Sequence, residues 1–298
     1  MSGERVRYRS DMEDSARWDG FVLRPGDIVI SARSKTGTTW VQMICALLVF
    51  QTAELPAPLT TLSPWLDMKL NPVDEVHRRL AAQQHRRFIK THTPLDGLPH
   101  GAGVTYVVTA RDPRDMAVSL YHQGANLDRD LIRRLLDEPG PPAATSPAVR
   151  PSARQALLNW IEDSSSPQES MDSLRGVMAH LCEAWKRRHE SNVVLVHYRD
   201  LSDDLEGEMR RLADELDLTV PERAWPALVR AARFDTMRAN ADNLVPDERI
   251  GLLRSNERFF RSGESGQWRD LLTPADGARY DAKAAALAPA DLLEWLHR

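Results

Sequence analysis

The feature that most constrains this chain is an alternation. Short runs of β-branched and aliphatic residues are each followed by a stretch of helical periodicity. Asp27 to Ala32 (DIVISA) reads as a buried strand after the turn Arg24-Pro25-Gly26. Thr38 to Gln51 reads as a helix with Val41, Ile44, Leu47 and Leu48 on one face. Arg87 to Lys90 is a short strand. Val104 to Ala110 (VTYVVTA) is the strongest strand, and it leads into a helix opening Asp112-Pro113-Arg114-Asp115. Asp is a good N-cap and Pro a good first helical residue. Leu181 to His189 reads as helix, Val193 to Tyr198 as strand and Asp203 to Leu216 as helix. Strands followed by helices predict an α/β fold: a three-layer sandwich with a central parallel sheet and helices on both faces. In such sheets ligands bind beyond the carboxyl ends of the strands. Candidate chemistry therefore lies just after each strand.

The 298 residues suit a single domain over 1–298, and no internal repeat is visible. Asp137 to Ser152 and Asp163 to Ser170 are rich in Pro, Ser and Ala, so 137–170 is expected to be a flexible loop, either a passive connection or a lid over a site. Basic residues number 39 and acidic residues 43, a net charge of −4. That balance argues against a nucleic-acid partner. Cys45 and Cys182 form no CxxC or disulfide framework, and the nine histidines show no zinc spacing, so no metal is expected. The N-terminus lacks an apolar signal region, and the longest apolar run, Val41 to Phe50, is about half a membrane span. A cytoplasmic protein without stable membrane insertion is the expectation. Only five of the 39 basic residues are lysines: Lys35, Lys69, Lys90, Lys186 and Lys283. Where Arg is the default cation, each Lys invites the question why Arg would not serve.

The loop after the first strand reads Ser31-Ala32-Arg33-Ser34-Lys35-Thr36-Gly37-Thr38-Thr39-Trp40. A strand enters and a helix leaves. N–H groups and the macrodipole at such a helix start favour an anion. Gly37 permits close backbone approach, Thr38 and Thr39 add hydroxyls, and Lys35 adds a compact charge. It is not a Walker A loop, because Lys35 precedes the glycine. After the second strand comes Lys90-Thr91-His92, which sets a second lysine beside a candidate general base. After the third come Arg111 and, two turns into the helix, Ser119, a pair able to grip a second anionic group. Near the C-terminus, Arg258 to Trp268 combines Arg258, Arg261, Gly263 and Gly266 with Phe259, Phe260 and Trp268, again suited to a phosphate.

Together these four segments resemble the cytosolic-type sulfotransferases, which use 3′-phosphoadenosine 5′-phosphosulfate (PAPS). The family pattern is PKSGTTW, then KTH, then R…S, then a late RKG…GxW. Here it reads SKTGTTW, Lys90-Thr91-His92, Arg111…Ser119 and Arg261-Ser262-Gly263…Gly266-Gln267-Trp268, in family order over residues 27 to 270. The stretches Gln84 to Leu98, Arg111 to Asp115 and Ser63-Pro64-Trp65-Leu66-Asp67 resemble an actinobacterial subgroup, the glycolipid sulfotransferases. The resemblance implies the P-loop-NTPase-like sulfotransferase fold and sulfuryl transfer to an acceptor hydroxyl on a small molecule or glycolipid. It implies that Lys35, Thr36, Gly37, Thr38 and Thr39 hold the 5′-phosphosulfate. Trp40 stacks on adenine with Phe234 on the other face, and Tyr198 lies against the nucleotide. Arg111, Ser119, Arg261, Ser262 and Gly263 form the 3′-phosphate site. The catalytic set is His92, Lys35, Lys90 and Ser119, with His92 as general base.

Three departures stand out. Ala232 replaces a hydroxyl residue two before Phe234, Ser262 replaces a lysine, and Ser34 replaces the proline before the loop lysine. The family dimer motif KxxxTVxxxE is degraded over 269–278, where only Thr273 matches and Pro274 removes a backbone donor, so the oligomeric state stays open. Two other readings compete: a P-loop kinase using ATP and Mg²⁺, and a non-catalytic nucleotide- or lipid-binding protein.

Overall fold

A computed structural model describes residues 5–136, 150–245 and 251–298. Four strands form one sheet: β1 (Ile28–Ala32), β2 (Phe88–Thr91), β3 (Thr105–Ala110) and β4 (Val193–His197). The order is β2-β1-β3-β4 and every pair is parallel. Ile30 lies beside Lys90 on one side and Val107 on the other, and Ala110 lies beside His197. The chain leaves β1 toward β2, then crosses back to β3. Connections from neighbouring strands thus diverge at the carboxyl ends of β1 and β3, where a crevice opens.

The near-continuous apolar strand runs have a physical reason: both faces are covered. Ile28, Ile30, Phe88, Val107, Val194 and Val196 pack under helix α1 (Thr38–Phe50) and the helices Leu205–Glu215 and Trp225–Ala232. Val29, Ile89, Tyr106, Val108 and Ala110 face a second core closed by the helices Leu174–Lys186, Pro274–Leu287 and Ala290–His297. The period-2 alternation divides the strands between two cores, which gives the expected three layers. Among the described residues no helix is long and apolar enough to cross a membrane.

Several local readings need correction. Tyr198 does not end a strand. It opens the helix Tyr198–Asp203, because the His197 ring accepts the Arg199 N–H at 3.1 Å and caps that turn. The helix read from Leu181 begins at Leu174, where Ser173 caps it by accepting the Gly176 N–H at 3.1 Å. The segment 137–170 is not loop throughout. Ser152 caps the helix Ala153–Glu162, and Leu157 and Ile161, one turn apart, are buried. Its first part, 137–149, lies outside the described residues. Over 269–278, Thr273 and Asp276 form a capping box for the helix Pro274–Leu287, and Arg154 bonds Asp276 at 2.7 Å.

Candidate active site

The strand ends bring the predicted residues to one cavity. Lys35, Gly37, Thr38, Thr39 and Trp40 reach it from the β1 loop, and Lys90 and His92 from the end of β2. Arg111 and Ser119 reach it from β3 and its helix, Tyr198 from the end of β4, and Phe234, Arg261, Ser262 and Gly263 from the C-terminal third. Thr36 alone among the predicted residues stands outside this lining. It is buried, donates its hydroxyl to the Arg33 carbonyl at 2.7 Å, and pairs with the Thr109 hydroxyl at 2.6 Å. Thr36 therefore ties the loop to β3.

The loop geometry follows from two residues. Gly37 has φ +102°, and a Cβ there would come within 3.0 Å of the Tyr198 ring. Lys35 has φ +69°, a left-handed conformation that costs a non-glycine residue free energy. Together they turn the chain sharply between β1 and α1, and the Lys35 side chain lines the cavity. The first N–H groups of α1 have no side-chain cap, so the positive end of the helix is open to an anion.

The cavity is strongly cationic. Lys35, Lys90, Arg111 and Arg261 line it. None has a carboxylate within salt-bridge distance among the described residues. Lys35 Nζ lies 3.5 Å from the Phe259 carbonyl and 4.1 Å from that ring's centre. Desolvation first, then Arg111, Arg261 and Lys90, lowers its pKa to about 7. Lys90 Nζ sits 3.6 Å over the Trp65 ring. Burial lowers it to about 8, against the opposing pull of Asp67, Glu13 and Asp172. Arg111 lies 4.1 Å over the Tyr198 ring, donates to the Glu264 carbonyl at 2.6 Å, and leaves its buried Nε without a partner. Such orphaned donors and crowded cations fit a ligand with several negative charges.

The late loop is folded onto the site. Both carboxylate oxygens of Asp115 accept the Gly266 N–H at 2.8 Å, and the Tyr198 hydroxyl donates to the Gly263 carbonyl at 2.8 Å. Gly263 has φ +72°, and a Cβ would meet Phe234 at 2.8 Å, so only glycine fits. Ser262, where a lysine was the family expectation, accepts from Gln267 Nε2 at 2.6 Å, while Arg261 bonds the same Gln267. At a second departure, the Ala232 carbonyl accepts Trp40 Nε1–H at 2.8 Å and orients the indole.

Residues absent from the sequence reading complete the site. Asp67 Oδ2 accepts the His92 N–H at 2.9 Å, the Thr93 N–H at 2.9 Å, the Thr93 hydroxyl at 2.7 Å and the Thr91 hydroxyl at 2.5 Å. That carboxylate shapes the turn carrying His92. The His92 ring lies 4.3 Å from that of Trp65, and its Nδ1 is 2.6 Å from Glu13 Oε1. Burial first, with help from Lys90 and Arg33, holds His92 well below the usual imidazole pKa. Trp65 and Asp67 lay inside the quoted Ser63–Asp67 stretch, but no motif gave them a role. Glu13 had no sequence signal at all.

A second cavity, of about 790 Å³, adjoins the first at Ser34, Trp65 and Gln123. Leu120, Leu127, Ile132 and Leu252 supply apolar walls, and Asp11, Arg129, Arg133 and Asp172 supply polar ones.

A parallel sheet with a cationic cavity and a buried neutral histidine at its carboxyl edge is the frame of a group-transfer enzyme with a polyanionic donor. The chain belongs to the sulfotransferase family: residues 25–288 match the model of the sulfotransferase domain. A glycolipid sulfotransferase of Mycobacterium bovis is 42% identical over 309 residues, covering 99% of this chain and 94% of that protein. A canine sulfotransferase 1A1 is 28% identical, covering 94% and 88%. A retinol dehydratase structure holding androsterone and the inactive cofactor PAP shares the fold, with TM-score 0.68, 22% identity and coverage of 96% and 90%. So does a mouse sulfotransferase complexed with PAP, with TM-score 0.65, 20% identity and coverage of 91% and 88%.

Proposed function

We propose that the chain transfers the sulfuryl group of PAPS to a hydroxyl of a glycolipid. The observation that carries this reading is the convergence of Lys35, Lys90, Arg111 and Arg261, without a salt bridge to a carboxylate among the described residues, around the cavity that His92 also lines. A nucleotide with a 5′-phosphosulfate and a 3′-phosphate presents charge at two ends. Lys35, Thr38, Thr39 and the open helix start suit one end. Arg111, Ser119, Arg261 and Ser262 suit the other. Trp40, Tyr198 and Phe234 supply flat apolar surface for a base.

In this mechanism neutral His92 takes the proton of the acceptor hydroxyl. The oxygen attacks sulfur as the bond from sulfur to the leaving phosphate oxygen breaks. Charge then grows on that leaving oxygen, where Lys35 can neutralise it. Lys90 steadies the remaining sulfuryl oxygens. The glycolipid part of the reading is supported by the second cavity, with apolar walls for chains and polar groups for sugar hydroxyls, and by the acceptor class named for the mycobacterial relatives.

The test is incubation with PAPS carrying radiolabelled sulfate and a fractionated lipid extract. Label is expected in a glycolipid fraction. Label confined to a phenol or sterol would overturn the acceptor, and label in no hydroxyl compound would overturn the activity.

A further inference from the structure

We infer that Glu13 positions His92 for proton transfer: its carboxylate accepts the imidazole Nδ1–H and leaves Nε2 as the atom that meets the acceptor hydroxyl. This deepens the proposed function and rests on its reading of His92 as the base. Both side chains are buried, and Glu13 Oε1 lies 2.6 Å from His92 Nδ1. His92 Nε2 has no protein partner among the described residues. A carboxylate on one ring nitrogen keeps the proton there and presents the lone pair at the other. His92 lines the nucleotide-side cavity and Glu13 lines the larger one. The pair thus stands between the donor space and the acceptor space.

Both members hang on one short segment. Glu13 bridges to Met68, and the neighbouring Asp67 accepts the His92 N–H at 2.9 Å. The Glu13 N–H donates to the Ser10 hydroxyl at 3.2 Å, and its carbonyl accepts the Ser10 N–H at 2.9 Å. Arg33 closes the arrangement. It is fully buried, donates to the His92 carbonyl at 2.5 Å and to Asp172 at 2.8 Å, and lies 3.5 Å from Glu13 Oε2.

The imidazole faces Lys90 from β2, Arg33 from the β1 loop, Glu13 from the N-terminal segment, Asp67 from the turn before the helix Val73–Ala82, Asp172 from before the helix Leu174–Lys186, and His180 from that helix. Burial, Lys90 and Arg33 oppose the charged ring, whereas Asp67 and Asp172 favour it. The outcome is a neutral ring, which is what a base must be. When the ring takes the acceptor proton, the acceptor O–H bond breaks and an Nε2–H bond forms. The Nδ1–H stays in place, and the new positive charge appears beside the Glu13 carboxylate. Stabilisation that arrives with the charge lowers the barrier rather than the ground state.

The test compares wild type with Glu13→Gln and Glu13→Asp. Glu13→Gln is expected to lose at least about 10²-fold in kcat, while affinity for 3′,5′-ADP, which also reports folding, stays within about twofold. The acid limb of its kcat/KM profile is expected to move to lower pH, because the imidazolium has lost its carboxylate. Glu13→Asp is expected to restore part of both. A purely structural role would lower the rate at every pH and leave the limb in place. Histidine ¹⁵N spectra, which need no acceptor, are expected to show wild-type His92 protonated at Nδ1 only at pH 8. A wild-type Nε2–H tautomer, or a wild-type acid limb in Glu13→Gln, would overturn the proposal. An Nδ1–H spectrum in a chain that transfers no sulfate would instead overturn the catalytic reading and leave the pairing standing.

Discussion

Lys35 and Lys90 are compact ammonium groups where 34 arginines show what the chain otherwise uses for positive charge. A guanidinium fork clamps a planar oxyanion, whereas an ammonium can follow charge onto a single oxygen. Lys35→Arg is therefore expected to keep 3′,5′-ADP affinity within about tenfold yet lose most turnover. Steady-state kinetics beside calorimetry checks this, and wild-type rates would contradict it. The pH dependence follows from the same crowding. Lys35 is lowered to about 7 and Lys90 to about 8 in the protein alone. Below pH 7 both carry their protons, and as pH rises through 8 both lose them. A bound polyanion holds the protons on, so binding at pH 8 should take up protons and affinity should fall as pH rises through this window. Titration in two buffers of different ionisation enthalpy measures the uptake, and equal heats in both would contradict it. These lysines were legible in the sequence because each stands at or just beyond the carboxyl end of a strand. Glu13 was not, because it lies 79 residues from His92 and only the tertiary fold joins them.

Two turns carry the site, and each hangs on a few hydrogen bonds. The turn after β2 is gathered by Asp67, whose Oδ2 accepts four of them. Asn in its place would set an amide among donors. Asp67→Asn is expected to cost about 1–3 kcal/mol of stability and to lower turnover by loosening His92. Denaturant melts beside kinetics check both, and an unchanged midpoint with unchanged turnover would contradict the role. The late loop is held by Asp115 and Tyr198 and passes against Phe234 at Gly263. Gly263→Ala forces a Cβ into that ring at a positive φ, a strain of about 1–2 kcal/mol, so nucleotide affinity should fall roughly tenfold. Unchanged affinity would show that the loop does not border the nucleotide. The strands and the helices starting at Thr38 and Pro113 were readable because their apolar runs and caps are local. The helix Ala153–Glu162 was hidden between Pro- and Ser-rich flanks, and only the packing of its Leu157 and Trp160 with Ala117, Val118 and Trp268 reveals why it forms. The second cavity was unreadable, because its walls come from separate parts of the chain.

Four basic side chains around one cavity, none in a salt bridge among the described residues, crowd positive charge that a polyanion relieves. A ligand at 100 times its Kd adds about 2.7 kcal/mol, which for a chain of this length is a Tm rise of a few degrees. Saturating 3′,5′-ADP should produce that rise, and ATP with Mg²⁺ at equal concentration should produce much less. A larger rise with ATP would favour a kinase. Added salt should shrink the 3′,5′-ADP effect, since the attraction is electrostatic and partly screened. The sheet order places the cationic cavity, which His92 lines, at the divergence of β1 and β3, and the larger cavity adjoins it. The most direct measurement compares radiolabelled sulfate transfer from PAPS by wild type and His92→Ala, with 3′,5′-ADP affinity measured on the same preparations. Transfer should vanish in His92→Ala while affinity holds. Near-normal transfer by that variant would contradict the assignment of the base and the mechanism built on it.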